Sequence, residues 1–157
     1  HVLDADIDSQ LRYALLCRPI FRGIAPSEEE LNPWLRERIL YHLGLYKRFL
    51  RPLLRECLVY HHTPWLSVTE PTAWCVLEYG SLDRARAAVA VFRLCEGEQA
   101  AYQLYPRGLD REKRYRVYSA NTRQTAEVRG WDLTNGGVRV ELNGSFSSEM
   151  LLFERAD

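Results

Sequence analysis

Asp4, Asp6 and Asp8 stand at alternate positions in HVLDADIDSQ, the spacing that opens an EF-hand calcium loop. Such a loop needs glycine at its sixth place for the turn and a bidentate glutamate at its twelfth. Ser9 and Leu15 occupy those places here, so calcium is not expected. The segment reads instead as a polar loop before a helix, with Asp8 or Ser9 as the capping candidate. Whether Asp4, Asp6 or Asp8 faces a substrate is not decided by spacing. His61 and His62 are adjacent in a strand-like run, so they point to opposite faces and cannot chelate one metal together. His42 lies in a helical pattern with Arg38 and Tyr46, not metal ligands, one turn away. Neither a metal site nor a cofactor is expected.

No G-x-S-x-G, G-x-G-x-x-G or P-loop sequence occurs, which leaves serine hydrolase, dinucleotide and phosphate-loop chemistry without support. Asn143-Gly144-Ser145 is formally a glycosylation sequon. Between two alternating apolar runs, Asn-Gly is a hairpin signal first. Trp34, Trp65, Trp74, Trp131 and nine tyrosines hint at stacking on sugar rings, although sandwich cores use the same residues. Trp74 and Tyr79, five apart in one strand, fall on opposite faces and make no continuous platform. Carbohydrate is thus a candidate partner with no binding residue assigned. Cys17, Cys57, Cys75 and Cys95 form no CxxC pair and have apolar neighbours, so free, buried thiols in a reducing, cytoplasmic compartment are expected.

The elements that must position these residues change character near residue 58. Before it, Leu11, Leu15 and Leu16 mark a helix that stops ahead of Pro19. Residues 22–26 read as a loop, and Ser27 and Glu30 have capping-box spacing over a short helical turn. Asn32-Pro33 then places a cap directly before proline at the first helical position. The long helix from Pro33 has an apolar stripe of Leu35, Ile39, Leu43, Tyr46, Leu50, Leu53, Leu54 and Cys57. Pro52 interrupts it, so a kink or an end is expected there. Arg36, Arg38, Lys47, Arg48, Arg51 and Arg55 outnumber Glu37 and Glu56, which suits a solvated face or a partner surface, a homo-oligomer contact included.

After residue 58 the period drops to two. Strands are predicted over 58–62, 72–79, 87–94, 100–105, 114–120, 125–130, 138–142 and 149–155, separated by Gly, Asn, Asp and Pro turns. Strands so closely spaced, without crossover helices, imply an antiparallel sandwich or barrel. The expected fold is α+β: a helical segment over 1–57, then an antiparallel β-sandwich of about eight strands over 58–157. The length of 157 residues suits one ordinary domain, or a small one plus part of another. Twenty-one basic residues cancel 21 acidic ones, which removes any global charge argument for nucleic acid or an anionic membrane. No apolar run approaches the ~18–20 residues of a membrane span. The opening has no signal-peptide pattern, and a start inside a longer polypeptide, or after a removed segment, is expected.

Two stretches together resemble glycoside hydrolase family 36, the α-galactosidases. LNPWLRERILYHLGLYKRFLRPLLRECLVYHHTP, with Tyr46-Lys47, Arg51-Pro52-Leu53 and Val59-Tyr60, is similar to the family's last barrel helix and exit strand. Ala73-Trp74, residues 88–94, Gly108-Leu109-Asp110, Tyr115-Arg116-Val117, Gly130-Trp131-Asp132-Leu133 and the closing SSEMLLFER resemble its C-terminal β-sandwich. LLCRPIFRGI is similar to a late barrel strand, with Arg22 interposed. The resemblance covers about residues 31–155. It implies residues 1–57 as the end of a TIM-type barrel and an upstream catalytic barrel of the same polypeptide as partner. It also implies a retaining parent enzyme that works through two aspartates. No residue here matches either aspartate motif, so no catalytic residue is carried over and Asp6 and Asp8 are not promoted to that role. An incomplete barrel has open edges and no enclosed site, so the chain alone is expected to be inactive, an accessory region supporting the barrel. A non-catalytic carbohydrate-binding module and an oligomerisation domain are the alternative functions.

Overall fold

The computed structural model describes residues 6–17, 32–64, 73–95 and 100–156. The expected loop at 22–26, the Ser27–Glu30 capping box, the barrel-like LLCRPIFRGI stretch beyond residue 17, Asp4 and Trp65 lie outside them. Asp6 opens the first helix, α1 (Ile7–Cys17): its carboxylate accepts the Asp8 N–H at 3.2 Å and the Ser9 hydroxyl at 3.1 Å. The cap therefore sits ahead of the predicted Asp8 or Ser9, because Asp8 is drawn into another contact described below.

In α2 (Pro33–Leu45), Asn32 Oδ1 accepts the Trp34 N–H at 2.9 Å and Pro33 takes the first helical position, as the Asn-Pro pair predicts. A π-helical turn, Tyr46–Leu50, follows, and the Arg51 N–H reaches back to the Tyr46 carbonyl. A last turn, α3 (Arg51–Leu53), contains Pro52 and ends the helix. Proline has no N–H and crowds the carbonyl four residues earlier; a widened turn just ahead of it relieves that crowding. The extra residue in the π-turn also moves the buried line. Leu50 at the turn's end and Leu53 beyond it are buried as the stripe predicts, but before it His42 and Leu45 are buried, one position ahead of Leu43 and Tyr46. Leu35 and Ile39 remain half-buried.

The strands are β1 (Cys57–His61), β2 (Trp74–Ser81), β3 (Arg86–Arg93), β4 (Ala101–Leu104), β5 (Arg114–Ser119), β6 (Thr125–Arg129), β7 (Val138–Glu141) and β8 (Ser147–Ala156). They form a six-stranded sheet, order β1-β2-β3-β8-β5-β6, and a two-stranded sheet, β4-β7, with antiparallel pairing throughout. The fold is thus mixed helix and antiparallel sheet, consistent with a β-sandwich, with helices covering the outer face of its larger sheet. The Asn-Gly hairpin is not formed. Gly144, at φ +83°, makes a turn, but β7 pairs with β4 and β8 enters between β3 and β5. Both edges of β8 are already occupied, so the turn carries the chain from one sheet to the other.

Ala88, Ala90 and Phe92 of β3 and Met150 and Leu152 of β8 pack under Leu15, Leu16, Leu45, Leu50 and Leu53 of the helices. From the opposite face Ala87, Val89, Val91, Leu151 and Phe153 meet Leu104, Leu109, Leu133, Val140 and Leu142. A strand covered on both faces needs apolar residues at every position, which accounts for the unbroken runs AAVAVF and MLLF. No helix among the described residues is long and apolar enough to cross a membrane.

Candidate functional site

The junction between helices and sheet is built from buried charge. Arg12 lies on the same face of α1 as Leu15 and Leu16 and is fully buried. Its guanidinium donates to the Ser148 carbonyl at 2.7 Å, the Ser148 hydroxyl at 3.0 Å and Asn121 Oδ1 at 2.7 Å. Burial pulls Arg12 below the ordinary arginine range, and the Glu149 carboxylate, with Asp8 and Asp6, opposes that loss. Glu149 in turn accepts the Ser119 hydroxyl at 2.7 Å and the N–H groups of Asn121 and Met150. One arginine therefore ties α1 to β8 and to the β5–β6 turn.

Asp8 joins the two helices. Arg38 forms a bidentate ion pair with its carboxylate, and His42 Nε2 lies 3.0 Å from Oδ1. Burial alone would raise the Asp8 pKa, but the hydrogen bonds from His42 and Arg38 and the charges of Arg38 and Arg12 hold it far below the usual carboxylate range. Beside them the Tyr41 hydroxyl contacts that of Tyr118 at 2.8 Å and donates to the Ala120 carbonyl at 2.8 Å, and the Arg123 guanidinium lies 4.1 Å from the Tyr41 ring centroid. A carboxyl depressed in the folded state stabilises fully above its unfolded pKa, near 4, and loses that contribution as pH falls towards the folded value. Unfolding of Asp8→Asn, followed by circular dichroism, should accordingly lose the part of the wild-type acid sensitivity seen below about pH 4.

A second buried carboxylate organises the opposite face. Glu78 on β2 is fully buried, lies 2.6 Å from His62 Nε2, and accepts the Arg107 N–H at 2.9 Å and the Gly108 N–H at 2.6 Å. Gly108 and Gly80 let the two backbones meet: a Cβ on Gly108 would lie 2.9 Å from the Glu78 carboxylate and 3.3 Å from the Gly80 Cα. The Tyr115 hydroxyl accepts the Asp110 N–H at 2.8 Å and donates to the Arg84 carbonyl at 2.7 Å. Gly130 donates its N–H to the Lys113 carbonyl at 2.7 Å, and a Cβ there would sit 2.0 Å from the Asp110 carbonyl oxygen.

The aspartates singled out by spacing therefore separate: Asp6 caps α1 and Asp8 bridges the helices. His61 is exposed while His62 turns inward to Glu78, so the pair does diverge. Trp74 packs against Tyr102 with ring centroids 5.7 Å apart, and Tyr79 joins the core beneath the helices, on the other face. Trp34 and Trp131 are exposed. Cys57 and Cys95 are free thiols; these two and Cys75 are half-buried rather than buried, and burial pushes the Cys57 thiol up. Among the described residues no three His, Cys, Asp or Glu side chains gather where a metal ion could be held. Spacing missed Arg12 and Glu78 as organising residues. The signal for Arg12 was its i, i+3, i+4 relation to Leu15 and Leu16; Glu78 has none, because both faces of its strand read as apolar.

Residues 74–153 match the sequence model of the glycosyl hydrolase family 36 C-terminal domain. Among solved structures, an α-galactosidase of glycoside hydrolase family 36 from Geobacillus stearothermophilus, in complex with raffinose, is similar at a TM-score of 0.64 and 25% identity; the match covers 81% of this chain and 17% of that one. An α-galactosidase from Lactobacillus brevis is similar at a TM-score of 0.64 and 17% identity, with the same coverages of 81% and 17%. The galactosidase domain of an α-galactosidase-sucrose kinase gives 0.61 and 20%, covering 80% of this chain and 17% of that one. The identity to these last two supports the shared fold alone. The chain spans about 17% of the length of these solved relatives. No curated protein matches it.

Proposed function

The chain belongs to glycosyl hydrolase family 36, whose C-terminal domain spans 74–153 here, and from that premise we propose that it is the accessory end of a larger α-galactosidase-type polypeptide. In this reading it braces an upstream catalytic barrel and supplies no catalytic aspartate. Residues 1–57 are the last helices of that barrel and 58–157 the sandwich beneath them. The observation that carries the reading is the two-sided character of the helices. Arg12 ties their inner side to the sheet and the Asp8–Arg38 pair ties them to each other, while Tyr13, Trp34 and Leu40 are left 65%, 61% and 53% exposed. Single exposed apolar residues are ordinary on a protein surface. Here they occur on both helices, where a barrel would continue. The free thiols of Cys57 and Cys95 support a cytoplasmic setting.

Rigid attachment gives the bracing a mechanism. The buried network fixes the helices on the sheet, so force on the barrel's last helices is carried by a sheet whose central strands are covered on both faces. The isolated 157-residue chain should show no turnover of a chromogenic α-galactoside, and robust turnover would refute the reading. In the parent enzyme, deletion of the sandwich should abolish soluble, folded barrel. A truncated enzyme that kept its stability and activity would equally refute it.

A further inference from the structure

Two adjoining hollows, each of about 390 Å³ and lined by no residue of α1, α2 or α3, share Arg111. One is lined by Arg111, Glu112, Lys113, Arg114, Arg129 and Trp131. The other adds Arg84, Tyr105 and Arg107. Among the described residues Arg84, Arg107, Arg111, Lys113 and Arg129 make no ion pair, whereas Arg114 is paired with Glu127. Glu112 is the one carboxylate among the described lining residues, with Asp110 and the exposed Asp132 close by in the chain. A chain with no net charge thus concentrates cations along one groove. Two aromatic rings border it, Trp131 at 57% and Tyr105 at 48% exposure. The Arg111 guanidinium lies 5.9 Å from the Trp131 ring centroid.

The groove is held in shape from beneath. Glu78 grips the backbone at Arg107 and Gly108, and Tyr115 clasps both Asp110 and Arg84. Gly130 closes on Asp110 and Lys113 without room for a side chain. Arg84 keeps its side chain at φ +56°, a backbone region that favours glycine. Buried hydrogen bonds thus fix the backbone from which the cations project, so their order along the groove is set before a ligand arrives.

We propose that this groove binds an acidic oligosaccharide built of uronate-type pyranose rings. Planar carboxylates match the guanidinium forks of Arg84, Arg107, Arg111 and Arg129, and the flat C–H faces of the rings lie on Trp131 and Tyr105. An acidic peptide would satisfy the cations but offers no regular flat faces to the two aromatics. The proposal does not depend on the bracing role, because the binding is a property of this chain by itself.

The test is titration of tetragalacturonate into the full chain, followed by NMR chemical shifts. Saturable shifts should centre on Trp131 and Arg111, with affinity falling between about 20 mM and about 300 mM salt as screening shortens the reach of the cations. Neutral galactotetraose should bind at least about tenfold more weakly, and Trp131→Ala and Arg129→Glu should each lower tetragalacturonate affinity by about tenfold with an unchanged unfolding midpoint. The proposal is overturned by any of four results: no saturable shift, equal binding of the neutral sugar, equal binding of a glutamate peptide of the same charge, or full affinity retained in both variants. Because no step measures glycoside cleavage, failure here leaves the bracing role standing.

Discussion

Replacing Arg12 with alanine should lower stability by about 3–5 kcal/mol, the scale found when one member of a buried, hydrogen-bonded charge cluster is removed. The loss combines several effects at one point. Asn121 Oδ1 loses its donor, and Ser148 keeps only the Asn121 amide on its carbonyl and the Ser9 hydroxyl on its own; a buried group left orphaned costs about 1–3 kcal/mol. Glu149 loses the cation it faces, and α1 loses its polar anchor to β8. Urea unfolding should show a lower midpoint with an unchanged slope, since the surface exposed on unfolding is nearly the same. Arg12→Lys should recover only part of the loss, because an ammonium cannot span Ser148 and Asn121 as the planar fork does. An Arg12→Ala variant within about 1 kcal/mol of wild type would show that the helices are held by apolar packing alone.

Replacing Glu78 with alanine should have an effect of similar size, again about 3–5 kcal/mol, but at the other face of the sheet. The Arg107 and Gly108 N–H groups, held at 2.9 and 2.6 Å, would be left without an acceptor, and His62 would lose its partner. Glu78→Gln, of nearly the same shape, should also destabilise, because an amide has one acceptor oxygen where the carboxylate has two and turns a donor towards other donors. Amide exchange separates the two variants from Arg12→Ala. Protection should fall first across residues 105–110 for Glu78, and first across α1 and the β5–β6 turn for Arg12. If the loop at 105–110 kept full protection in Glu78→Ala, the carboxylate would not be what fastens it.

The eight strands were legible in the sequence to within a few residues, because turn residues bracket short runs rich in Val, Tyr, Phe and Trp. The Asn32 cap and the helix end at Pro52 were legible for local reasons too, a side-chain acceptor in one case and a missing N–H in the other. Asn143-Gly144 was read too locally: the turn exists, but what a strand pairs with after a turn depends on which edges are still open. The buried face of α2 was displaced by one residue because a period of 3.6 assumes a regular helix, and the π-turn breaks that assumption. Asp8 looked like a cap because its neighbours in sequence allow it; its partners Arg38 and His42 come from another helix.

Local chemistry was therefore written into the order of residues: the switch from helix to strand, the turns, and the likeness to family 36. The packed molecule alone decided which strands are neighbours, which charges are buried and where cations gather. Arg12 meets Ser148 across 136 positions and Glu78 meets Gly108 across 30. Periodicity acts over a few residues, whereas the burial of a charge depends on everything that closes around it.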